Sequence, residues 1–151
     1  MTSLIKTCLG EKRKAVFLTL AIACYLASLA LPAISIESHD PIFGAEVLLT
    51  AWMGAFFGEY AWFSNVAFIA ALVAFGAGRH RLALASEIIA ILLSLGSTQA
   101  KYWYLDERGI GIPIVALGTG FYVWTLSLWV LFLGAVTEAG SAYFGVTKRV
   151  P

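Results

Sequence analysis

Glu87 has the strongest chemical potential of any residue in this sequence. It stands six positions after Arg81, inside the otherwise apolar run Leu82 to Ala100. A carboxylate at the centre of a membrane helix costs up to about 3.5 kcal/mol, and an ionisable group kept in hydrocarbon is a functional candidate by default. Six helical residues rise only about 9 Å. Glu87 therefore has two readings, a proton or ion role within the membrane or a structural place beside the basic turn Gly78-Arg79-His80-Arg81. The structural reading is the default.

Asn65 and Gln99, with Ser94, Ser97 and Thr98, lie near the outer ends of two apolar runs. Such amides and hydroxyls could line a small outward hollow, but they more often bond helix to helix. Tyr122 falls with Gly118, Thr125 and Trp129 at spacings of three and four. This predicts one helical face turned into a bundle or towards a partner helix. Glu37, His39, Asp40 and Glu46 match no zinc spacing, and His39 and His80 fall on opposite sides of the expected membrane. The sequence has no phosphate-binding glycine loop, dinucleotide fingerprint, H-E-x-x-H or G-x-S-x-G. It predicts no catalytic constellation, no metal and no cofactor.

The elements that must position these residues follow from composition. The chain has 151 residues, of which 60% are hydrophobic and 13% charged, and its mean hydropathy is +0.85. Soluble domains average about 45–50% apolar and about 25% charged residues, so lipid is the expected solvent and partner. A net charge of +1 offers no basic field for nucleic acid. The expected fold is all-α: a single transmembrane domain, residues 1–151, forming a bundle of four transmembrane helices.

The spans are read at about 15–34, 61–77, 82–100 and 112–136, with outer loops 35–60 and 101–111. The run Ala15 to Ile34 exceeds the roughly 7–15 residues of a signal-peptide core, so a retained helix is expected, ended by Pro32. The segment Ala45 to Glu59 is either a short interfacial helix before the second span or an extension of that span. Its length, Trp52, Phe56 and Phe57 suit the surface position. Gly54 and Gly58 form a G-x-x-x-G, and Gly118 and Gly120 begin the last span, spacings that allow close helix approach.

Orientation comes from the basic residues. Lys6, Lys12, Arg13, Lys14, Arg79, Arg81, Lys148 and Arg149 fall on one side, and only Lys101 and Arg108 on the other, eight against two. Basic loops stay cytoplasmic, so both termini are expected inside. Short loops and no organelle signal fit a bacterial inner membrane. The outer face is then acidic and aromatic, and Trp52, Glu59, Tyr60, Trp62, Trp103, Asp106 and Glu107 are its candidate partner-binding residues.

The runs LGTGFYVWTLSLWVLFLGA and AWMGAFFGEYAWFSN resemble those of small bacterial membrane proteins. By size and topology the chain is also similar to the membrane-bound immunity proteins that protect producers of pore-forming bacteriocins. Neither resemblance carries a motif from which a functional residue transfers. The expected function is non-enzymatic: protein–protein contact in or at the outer face of the membrane, as an accessory subunit or immunity-type protein. Its partner would be another membrane protein or further copies of itself. The alternative is a small oligomeric transporter or channel component, with a polar path near Glu87, Asn65 and Gln99.

Overall fold

The computed structural model of the chain describes residues 2–37, 40–104 and 111–147. Four long helices pack side by side, and a small sheet with several short turns caps one end. The first helix, α1, runs from Thr2 to Leu29. It is followed by β1 (Pro32–Ile36), β2 (Ile42–Phe43) and the short α2 (Gly44–Thr50), which continues as a 3-10 turn over Ala51–Phe57. A second 3-10 turn, Ala61–Phe63, leads into α3 (Ser64–Gly76). Then come α4 (His80–Ser94), a 3-10 turn at Leu95–Thr98, β3 (Tyr102–Tyr104), β4 (Gly111–Leu117) and α5 (Thr119–Thr147).

Helix α1 packs chiefly on α5, α3 on α4, and α4 on α5. Their shared core is rich in small side chains, including Ala21, Ala71, Ala74, Ala83, Ala90 and Ala135, with Phe68, Phe75, Leu128 and Leu131 filling between them. Small residues let helix axes approach closely, which drives packing where no hydrophobic effect operates. Gly78, at φ 74°, ends α3 in a left-handed turn. Gly78 N–H bonds Phe75 O at 3.0 Å and Arg79 N–H bonds Ala74 O at 2.8 Å, closing the helix in the manner of a Schellman cap. The chain then turns straight into α4.

The same end of the bundle is tied by polar contacts. Arg13 Nε donates to Glu138 Oε1 at 2.8 Å and Arg13 Nη2 to Ser141 Oγ at 3.0 Å. Lys14 Nζ donates to the Gly76 carbonyl at 2.8 Å, a cation at the negative end of α3. Arg13, Lys14, Arg79 and Arg81 therefore gather at the end opposite the sheet.

The sheet departs from the all-α expectation. Its order is β2-β1-β4-β3, with every neighbouring pair antiparallel. Ile34 faces Leu117 and Ile36 faces Ile114 across the central pair, while Trp103 faces Ile112. Residues 32–34, expected at the end of the first span, and 112–117, expected at the start of the fourth, are strands. Helix α1 consequently stops at Leu29, and α5 begins only at Thr119. Ile34, Ile36, Ile112, Ile114 and Val115 are β-branched, with stiff side chains that suit a pleated surface, and pairing the two segments satisfies backbone groups that Pro32 and Pro113 would leave open in a helix.

Two segments are long and apolar enough to cross a membrane, His80–Thr98 (19 residues) and Thr119–Ser141 (23 residues). The apolar segment Ala61–Gly76 is shorter, and the apolar part of α1 begins only after Lys14. Trp52, Phe56 and Phe57 belong to a separate segment, not to an extension of α3, because Gly58 breaks the chain at φ 86°. Gly54 packs against Glu59, with a Cβ placed there lying 3.1 Å from Glu59 Cβ. The G-x-x-x-G is thus a turn device and not a helix-packing motif.

Candidate functional site

Where the sheet meets the helix ends, the chain lines a partly open cavity of about 130 Å³. Its floor is the end of α1 at Ser28 and Leu29 and the first turns of α3 and α5; its roof is β1, β3 and β4. Both halves of the cap line it. Phe57 stacks on Tyr104 with ring centroids 4.3 Å apart, joining the segment after α2 to the strand after α4.

Asn65 organises the floor. Its Oδ1 accepts from Tyr25 Oη and from Trp124 Nε1, each at 3.1 Å, and its Nδ2 donates to Trp62 O at 3.0 Å. One amide thereby links α1, α3 and α5. Tyr25 also stacks on Phe68 at 5.1 Å. Trp62 Nε1 donates to Leu48 O at 2.7 Å, holding α2 over the site. Asn65 and Ser97 both line the cavity, and Asn65 also bonds helix to helix.

Glu59 is half-buried in the wall. Its backbone N–H bonds Gly54 O at 2.9 Å, but its carboxylate has neither a hydrogen bond nor an ion pair among the described residues. Trp103 also lines the cavity, only 6% exposed, in a small core with Ala33, Ile34, Ile36 and Ile42. This corrects its expected place on the outer surface: the strand alternation that exposes Tyr102 turns Trp103 inward. Trp52 and Tyr60 are exposed as expected, with Trp52 Nε1 donating to Leu49 O at 2.9 Å. Asp106 and Glu107 lie outside the described residues, as does His39.

The remaining candidates are dispersed. Gln99 is exposed and stands outside the cavity wall. Tyr122 is 62% exposed and Trp129 46%, so their face of α5 turns away from the bundle, because Ser127, Leu128, Leu131 and Ala135 form the inward one. Glu87 lies apart from the cavity on the inward face of α4, with Ala83, Ala90 and Ser94. It is fully buried, and neither carboxylate oxygen has a partner among the described residues. Glu87 makes no ion pair with Arg79 or Arg81, because the helical repeat carries it inward while both arginines remain exposed.

Tyr25, Phe121 and Trp124 complete the site without having been singled out by sequence. The available signal was the concentration of aromatic residues at one end of every apolar run, the expected interfacial position for such side chains. No group of three or more His, Cys, Asp or Glu residues suited to a metal occurs among the described residues. Among the described residues no nucleophile stands hydrogen-bonded to a base in the cavity wall. No protein-family model, curated protein or solved structure matches the chain.

Proposed function

We propose that this is a four-span membrane protein that acts without catalysis, through contacts made in or at the outer face of a membrane by its capped end. The carrying observation is the distribution of uncovered apolar side chains. Val16, Leu20 and Leu26 of α1, Ile69 and Val73 of α3, Ile89 and Leu92 of α4, and Leu126 and Leu133 of α5 all stand exposed. A helix of a soluble bundle turns polar residues outward; four apolar outer faces suit hydrocarbon. Helices α1 and α3 then cross together with the polar-flanked cap, and the basic end of the bundle is cytoplasmic by the positive-inside rule. A bacterial inner membrane is the fitting compartment.

At the capped end Trp52, Phe56 and Tyr60 are 45%, 77% and 58% exposed. Aromatic side chains of this kind dominate contact energies between proteins. An accessory subunit or an immunity-type protein would use such a surface. The test is the mass of the intact particle extracted from the native host in mild detergent. We expect a stoichiometric companion in the wild-type particle and its loss in the Trp52→Ala/Phe56→Ala variant. A lone monomer in both preparations would overturn the reading. A second reading, a transporter or channel component, draws on one observation: Glu87 is buried without a partner among the described residues.

A further inference from the structure

We infer that the cavity beneath the sheet is a binding site for a small quaternary ammonium group. Its wall combines one carboxylate, Glu59, with the aromatic side chains of Trp62, Trp103, Tyr104, Phe121 and Trp124. Aromatic faces carry negative potential and attract a cation held within about 6 Å, the more strongly when water is excluded. A carboxylate without a counter-ion among the described residues adds a full charge of the right sign to such a wall.

Several of the other polar groups in the wall are already committed. Both ends of the Asn65 amide are bonded, the Trp124 and Trp62 indoles donate to Asn65 and Leu48, and Ser28 Oγ donates to Tyr25 O at 2.6 Å. The Trp103 ring lies in the same wall, and its N–H is buried without a partner among the described residues. An anion would be repelled by Glu59 in the same wall. A bare metal ion or a primary ammonium would have to exchange its hydration shell for oxygen ligands, and the wall offers one carboxylate. A methylated ammonium asks for no hydrogen bonds at all.

Size narrows the class further. A cavity of about 150 Å³ holds a benzene molecule, and the space here is about 130 Å³. Tetramethylammonium, or the trimethylammonium end of choline, matches that volume. The group could arrive as a free solute or as the headgroup of a lipid.

The experiment is a titration of the full chain, purified in a maltoside detergent, followed by tryptophan fluorescence and calorimetry. Four probes are compared: tetramethylammonium, choline, the neutral choline isostere 3,3-dimethylbutan-1-ol, and a short-chain phosphocholine lipid. We expect saturable binding of the cations, about tenfold or more tighter than the neutral isostere. Glu59→Gln should weaken choline about tenfold while leaving the isostere and the thermal unfolding midpoint unchanged. Tighter binding of the lipid than of choline assigns the headgroup as the source, and the reverse assigns a free solute. Equal affinity for choline and its isostere, undiminished choline binding in Glu59→Gln, or no saturable binding of any cation would overturn the proposal.

Discussion

Asn65 and Glu87 lie on neighbouring helices and show opposite ways of keeping a polar side chain inside an apolar bundle. Asn65 commits both amide atoms to three partners, on α1, on α5 and in the turn before α3, so its burial is compensated. Glu87 has no partner among the described residues. A buried polar group left unsatisfied costs on the order of 1–3 kcal/mol. If Glu87 serves a proton or ion path, Glu87→Gln in reconstituted vesicles should lower flux about tenfold or more, because an amide cannot take up and release the charge. Equal flux through wild type and variant would remove the path and leave binding at the capped end. The type of each residue, and hence the question it raises, was legible in the sequence. Its surroundings were not: the helical repeat places Glu87 with Ala83 and Ala90, but only packing against α3 and α5 makes that face the buried one.

The caps and strands belong to the scale of elements, and here close approach decides. Gly118 joins β4 to α5, where its N–H bonds Ala33 O at 2.8 Å. A Cβ at this position would collide with the carbonyl oxygen of Pro32. Gly140, later on the same helix, has nothing within 4 Å of where its Cβ would sit. Gly118→Ala should therefore lower the thermal unfolding midpoint, with a loss on the order of 1–3 kcal/mol for an overpacked site. Gly140→Ala should leave it unchanged or raise it by up to about 1 kcal/mol, the helix-propensity difference. Similar midpoints for the two variants would contradict the junction described above. The sequence marked Gly118 and Gly120 as points of close approach but assigned them to helix–helix packing. Runs such as GIPIVAL and PAISI satisfy both helix and strand patterns when they are this short, and their β-branched content was the signal for strands.

At the scale of the molecule, the helices run with the basic turn at one end and the sheet at the other. The four-span reading makes a topological prediction. With Cys8 and Cys24 replaced by alanine, Tyr60→Cys should react with an impermeant maleimide on intact cells. Ala77→Cys, in the turn before α4, should react only after permeabilisation. The opposite pattern would invert the orientation, and labelling of both from one side would reduce the number of spans. Arg13–Glu138 is a minor contributor to this architecture, since Arg13 is 45% exposed and such pairs contribute about 0.2–1 kcal/mol. Its information is positional: it sets the level of α1 against α5.

The sequence by itself determined the apolar character of the long helices, the segregation of basic residues to their shared end and the aromatic enrichment at the other. These depend on composition and short-range order, which need no partner to be read. Tertiary structure decided the sheet and the cavity. Strand β1 follows α1 and strand β4 precedes α5, so the pairing that forms the sheet joins segments about eighty residues apart, a distance over which local pattern is silent. Strand β3 adds to β4 beside it, with Trp103 turned inward, and the sheet forms a roof over Asn65 and Glu59. The site exists only where two distant loops share backbone hydrogen bonds, and neither loop contains it alone.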